Sequence, residues 1–139
     1  MVHALEEARR VLRKGGVLID VRPVVSEPMV EVIGSERVYL AGRIDDSADL
    51  DDGTASDKAL AYALEQGWLQ AQEHDSFHFA YYWDTPDKMF EYLAERWSEV
   101  VIPEEVFSQA RELAGAAGPT CQLRIRVAMT ITRYQKLGG

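Results

Sequence analysis

Two long runs in which apolar and polar residues alternate with a period of two constrain this fold more than any other feature. Between Cys121 and Tyr134, the residues Cys121, Leu123, Ile125, Val127, Met129 and Ile131 fall on one side, with Gln122, Arg124, Arg126, Thr130 and Thr132 on the other. From Ser76 to Trp83, Phe77, Phe79, Tyr81 and Trp83 alternate with His78, Ala80 and Tyr82. That period belongs to strands with one packed face. The chain must therefore build a sheet and cover it.

The covering elements are legible as helices. Leu5, Ala8, Val11 and Leu12 recur at helical spacing between His3 and Lys14, opposite Glu6, Glu7, Arg9 and Arg10, and Gly15-Gly16 offers a left-handed stop. A second helix is expected from a cap at Thr54 or Ser56 to about Leu69, with Ala59, Leu60, Ala63 and Leu64 as its stripe. Thr85-Pro86-Asp87 opens a third, with Met89, Phe90, Leu93 and Trp97 on its face. A fourth starts at Pro103-Glu104-Glu105, packs Val106, Phe107, Ala110 and Leu113, and breaks at Gly115 and Gly118-Pro119.

Further strands lie between these. Val17-Leu18-Ile19-Asp20-Val21 is short, apolar and β-branched, the pattern of a strand buried on both faces of a parallel sheet, and Pro23 ends it. Met29–Ile33 and Arg37–Ile44, separated by Gly34-Ser35-Glu36, read as an antiparallel hairpin. Asp45 to Gly53 reads as a polar loop. With 139 residues and 47% hydrophobic content, one domain spanning residues 1–139 around one continuous core is expected.

Charge excludes some functions. A net charge of -8 repels phosphate backbones and anionic lipid, so nucleic acid and membrane are poor partners. The N-terminus lacks the order of a signal peptide and no apolar run approaches a membrane span of roughly 20 residues. Cys121 is the lone cysteine and lies in an apolar strand, which fits a reducing cytoplasm, the setting expected here. The acidic run Asp45, Asp46, Asp49, Asp51 and Asp52 fails as a calcium loop, because Ala48, Leu50 and Ala59 occupy ligand positions. His3, His74 and His78 share no metal-ligand spacing with a cysteine, and no Ser-His-Asp arrangement is present. No catalytic residue and no metal site are assigned.

The stretch Ala4-Leu5-Glu6-Glu7-Ala8-Arg9-Arg10-Val11-Leu12-Arg13-Lys14-Gly15-Gly16-Val17-Leu18-Ile19 resembles a segment of class I S-adenosylmethionine-dependent methyltransferases, in which a helix and a Leu-Arg-Lys-Gly-Gly-type turn lead into the fifth strand. Tyr82-Trp83-Asp84-Thr85-Pro86, Glu95-Arg96-Trp97 and the strand from Arg124 to Tyr134 are similar to the C-terminal portion of such sequences. The resemblance implies an α/β fold, the C-terminal half of a truncated Rossmann-like methyltransferase, with a mixed sheet, helices and an inserted β-hairpin. It implies that Val17–Val21 and Ser76–Trp83 run parallel and that the last strand inserts between them in the opposite direction. The family's glycine-rich cofactor loop would precede this segment, so no cofactor is expected, and S-adenosylmethionine only if a partner chain supplies that half.

Ligands of open α/β sheets bind beyond the carboxyl ends of the strands. Those ends carry Arg22 on one strand and Trp83-Asp84 on another, with Tyr82 as a wall, and these four are the candidate ligand-binding residues. An Arg22–Asp84 ion pair beside a packed Trp83 is the structural alternative. Arg124, Arg126 and Arg133 are expected to pair with acids of a covering helix. A sheet cut at Val17–Val21 leaves an open edge, to be covered by a homodimer mate, by a separate cofactor-binding chain, or by the chain's own helix or hairpin.

Overall fold

The computed structural model describes residues 2–138. The order of elements is α1 (Val2–Val11), β1 (Val17–Pro23), β2 (Met29–Ile33), β3 (Val38–Arg43), a 3-10 turn (Ser47–Asp49), α2 (Leu50–Glu65), β4 (Leu69–Trp83), α3 (Pro86–Arg96), α4 (Glu104–Ala117) and β5 (Gln122–Lys136). The fold is α/β with an open sheet, and the ladders of β1 and β2 to β5 and of β2 to β3 are all antiparallel. Contacts gather into two compact units that share the long strands β4 and β5. The first holds the described residues up to Val24, Leu50–Phe77 and those from Met129 onward; the second holds Val25–Asp49 and His78–Ala128. The buried apolar residues likewise form two clusters instead of one continuous core.

The strand β5 pairs with both β1 and β4, and the part of β4 that belongs to the first unit is Leu69–Phe77. Leu60, Ala63, Leu69 and Tyr134 are buried there, with Leu5, Leu18 and Trp68 packed against them. The helix α1 stops three residues before Lys14 for a reason that lies far along the chain. Gly15, at φ +77, donates its N–H to Lys136 O at 3.0 Å, while Lys136 N–H donates to Gly16 O at 2.9 Å. This is a β-bulge with glycine at its left-handed position. It delivers the Lys136 ammonium to the end of α1, where Nζ donates to the carbonyls of Arg9 and Leu12, each at 2.6 Å. Lys136 is only 6% exposed, so these carbonyls replace its water. Lys136→Met is expected to cost about 1–3 kcal/mol in chemical unfolding and to loosen α1 in amide exchange, because the helix-end acceptors lose a charged donor.

The helix α2 begins four residues before Thr54, so neither Thr54 nor Ser56 is its cap. Both hydroxyls donate back to the carbonyls of Leu50 and Asp52, at 2.9 and 3.0 Å, as interior Ser and Thr do. Asp51 and Asp52, read above as loop, sit in the first turn, where negative charge is favoured. The other end is fixed by Gly67 at φ +66: its N–H bonds Leu64 O and Trp68 N–H bonds Ala63 O, a Schellman closure. The chain reverses there, and β4 starts at Leu69, seven residues before Ser76.

In the second unit β2 and β3 form the expected hairpin, closed by Gly34 N–H to Arg37 O at 2.9 Å, and β2 pairs with the first half of β5. Val30, Val32, Leu123 and Ile125 are fully enclosed, facing Met89 and Leu93 of α3 and Val106 and Ala110 of α4. Thr85 caps α3 as its sequence signals, accepting from Lys88 N–H at 3.2 Å. The helix α4 passes through Gly115 and ends at Gly118, φ +91. Cys121 is buried against α4, its thiol 3.6 Å from Ala114 O. Asp46, 7% exposed, holds the segment ahead of β2 by accepting from the N–H groups of Ser26 and Glu27, at 3.1 and 3.0 Å. Glu27 stands at φ +48, a conformation that such a clamp must maintain. Asp46→Ala should lower stability by about 1–3 kcal/mol, read from the urea midpoint, since two amides lose their acceptor.

Candidate functional site

The geometry of β1 differs from the strand read above. Its ladder to β5 is antiparallel, and exposure alternates along it, so it is not buried on both faces. Leu18 packs beside Tyr134 under α2, whereas Val17, Ile19 and Val21 point to the opposite face and are 39%, 50% and 46% exposed. A strand with helices on one side only buries every second residue. Across the ladder these three stand opposite Gln135, Arg133 and Ile131. Arg133 lies 3.9 Å from Glu73 of β4, which places Phe77, four residues further along that strand and 39% exposed, on the same face. The first unit thus carries a sheet face on which Val17, Ile19, Val21, Ile131 and Phe77 stand beside Arg133 of β5 and Glu73 and Asp75 of β4.

The outer edge of β1 is also open: among the described residues, its only ladder is to β5. The bulge at Gly15-Gly16 sets the phase of that ladder. Because Gly16 O accepts from Lys136, the positions Leu18, Asp20 and Arg22 bond inward to Tyr134, Thr132 and Thr130. Val17, Ile19 and Val21 therefore aim N–H and C=O away from the sheet. Pro23 ends the series, having no N–H to offer.

Arg22, the first candidate ligand residue, is already committed. Its Nε donates to Asp20 at 2.8 Å, a terminal nitrogen lies 2.9 Å from Asp57 of α2, and another lies 3.5 Å from Gly53 O. Burial disfavours its charge, but the hydrogen bonds it donates to Asp20 and Asp57 outweigh it and hold the guanidinium protonated above its ordinary range. It fastens α2 to β1. Tyr82, Trp83 and Asp84 belong to the second unit, so the four residues are not gathered into one unit. Trp83 packs on the core, stacked with Tyr81 at a centroid distance of 6.0 Å and tilted against Tyr92 at 5.4 Å. Tyr82 is 52% exposed, and Asp84 faces Lys88 at 3.7 Å. The Arg22–Asp84 pair is replaced by separate partners for each.

Arg124 and Arg126 do not pair with a helix. Both grip Glu31 of the neighbouring strand β2: Arg124 donates at 2.9 Å to one carboxylate oxygen, and Arg126 donates at 2.8 Å to the other. Glu31 is 5% exposed. Burial pushes its carboxyl up, but the arginine hydrogen bonds prevail and hold it below its ordinary value. Arg124 is held protonated chiefly by Glu31, against burial and with a smaller contribution from Tyr82. Glu31 was not singled out from sequence, although a charge at the centre of Met29-Val30-Glu31-Val32-Ile33 signals a buried acid needing a partner.

A groove of about 330 Å³ beside α3 and α4 is lined by Phe90, Leu93, Trp97, Ile102 and Phe107, with Ser98 its only hydroxyl. It has too few polar groups to orient a polar ligand. Among the described residues no group of three His, Cys, Asp or Glu side chains is placed to hold a metal ion. Among the described residues no helix is long and apolar enough to cross a membrane. Comparison with protein-family models, with curated proteins and with solved structures finds no match to this chain.

Proposed function

We propose that this chain is a non-catalytic, methyltransferase-like domain that acts by binding a protein partner along the exposed side of β1. The observation that carries this reading is the coincidence on one strand of outward-facing backbone groups and exposed Val17, Ile19 and Val21. Exposed edges of this kind are normally charged, twisted or covered, because they template pairing with another chain. The polar groups that would form a small-ligand site are instead engaged with one another, Arg22 with Asp20 and Asp57, and Glu31 with Arg124 and Arg126. A cytoplasmic setting suits the buried, unpaired thiol of Cys121, and a net charge of -8 favours protein over nucleic acid as partner.

A second reading makes the chain the substrate-recognition half of a split methyltransferase, with a separate chain holding S-adenosylmethionine. The free edge of β1 favours it, being where a further strand of an α/β sheet can add. Calorimetric titration with S-adenosylmethionine separates the two. The first reading requires no heat of binding and no methyl transfer by the purified chain. Turnover by that chain alone overturns both readings, whereas binding only after a partner protein is added supports the second.

A further inference from the structure

Resting on the reading that β1 is a protein-binding edge, we infer that the partner is a second copy of this chain. The two β1 strands pair antiparallel about a two-fold axis through Ile19. Parity makes the edge self-complementary. A two-fold axis perpendicular to the sheet keeps every residue on its own face, so only residues an even number apart in sequence can stand opposite one another. The outward backbone groups belong to Val17, Ile19 and Val21, which all carry their side chains on the open face. Apolar residues therefore meet apolar ones at every bonded position: Ile19 opposite Ile19, Val17 opposite Val21. Such β-branched pairs are favourable across a ladder.

The ends of the edge select the centre. The glycine bulge at Gly15-Gly16 limits it on one side and Pro23 on the other, leaving three residues with outward N–H groups, of which Ile19 is the middle one. Centred there, each of the three both donates and accepts. Centring on Asp20 sets that carboxylate against its own copy, a like-charge pair at the closest spacing in an antiparallel ladder. Centring on Val21 puts Ile19 opposite Pro23, whose missing N–H leaves an Ile19 carbonyl unbonded. The other edge of the first unit is defended: β4 presents Glu73 and Asp75 beside Phe77, so a second copy meets repulsion there. Two chains of charge -8 also repel as wholes, and salt should strengthen the dimer by screening.

Sedimentation equilibrium of the whole chain at micromolar concentration, in low and physiological salt, tests this. The expected result is a dimer that tightens with salt. Ile19→Lys and Ile19→Glu should each weaken it by about tenfold or more, and an equimolar mixture of the two should recover association, since position 19 stands opposite itself. Val21→Pro should also weaken it at least about tenfold while circular dichroism stays that of the wild type, because the N–H it removes is not used in the ladder to β5. A wild-type chain that stays monomeric, or a mixture that fails to associate, overturns the inference. Neither result touches the binding reading, which falls instead on methyl transfer by the purified chain.

Discussion

Replacing Glu31 by Gln is expected to cost about 3 kcal/mol of folding stability, a large share of the roughly 5–15 kcal/mol that holds a domain of this size together. The reasoning starts from solvation. Two guanidinium groups converge on one carboxylate that is 5% exposed, and the Nε of Arg124 is already enclosed without a partner. With the carboxylate present, the cluster carries one net positive charge; without it, two neighbouring cations lose their counterion while their water stays excluded. The penalty for breaking a buried pair is about 3–5 kcal/mol, and the lower end applies because the Arg126 side chain is 37% exposed and can recruit water. Removing the whole cluster should be far milder. Glu31→Leu combined with Arg124→Met and Arg126→Leu leaves no uncompensated charge, and is expected to recover most of the lost stability in urea unfolding. A Gln variant as stable as the wild type would show that the cluster is hydrated and carries little energy.

The same residue gives a pH dependence of definite sign. Glu31 is held below its ordinary value in the folded chain, since the hydrogen bonds from Arg124 and Arg126 outweigh burial. A depressed carboxyl contributes stability that is fully present above the unfolded value of about 4.3 and is lost as pH falls through the lower folded value. Unfolding free energy measured downward from neutral pH should therefore fall in the wild type below about pH 4.3. The Gln variant lacks that step, so the gap between the two should narrow on the acid side. A gap independent of pH would assign the loss to packing instead of charge.

How much of this was legible depended on whether a feature is local. The cap at Thr85 and the hairpin around Gly34 are decided by neighbours in sequence, and each stands where the sequence puts it. The single packed face expected along β5 holds only for Cys121, Leu123 and Ile125; further along, the buried positions are Tyr134 and Lys136, on the alternate side, and Ile131 is left on the open face, because what covers a strand is decided by tertiary packing. The start of α2 was not legible, because Asp51 and Asp52 are equally at home in a polar loop or a first helical turn, and only tertiary packing chooses. The environment of β1 is ambiguous in sequence for a similar reason. An apolar β-branched run suits a strand buried on both faces, and nothing within five residues announces that one face is left open. Partners at long range were the least legible part of the site. Arg22 had an acid two residues away and another on α2, either of which could displace Asp84, and Arg124 had Glu31 as a ladder neighbour only once β2 and β5 were in register.

Gly42→Ala should destabilise the second unit by about 2–4 kcal/mol, for two reasons that an experiment can separate. Ala41 is an extra residue on β3: Val30 stands opposite Gly42 and Glu31 opposite Leu40, so the strand bulges between them. Gly42 takes up the distortion at φ +153, where a side chain is strained by about 1–3 kcal/mol. The bulge also brings its backbone against α4. A Cβ at Gly42 would lie 2.5 Å from Val106 Cγ2, on a side chain that is 5% exposed and stiff about its first torsion. Overpacking of this kind adds about 1–3 kcal/mol. Val106→Ala removes the obstructing methyl, so the Gly42→Ala change should cost about 1–2 kcal/mol less in that background, a coupling that a double-mutant cycle reads directly. What remains in the Val106→Ala background is the backbone strain. Gly115→Ala provides the opposite sign, because that glycine lies inside α4 with nothing within 4 Å of an added Cβ, and should gain about 0.5–1 kcal/mol. Equal effects at the two glycines, or no coupling to Val106, would mean that β3 and α4 are not in the close contact that their shared core requires.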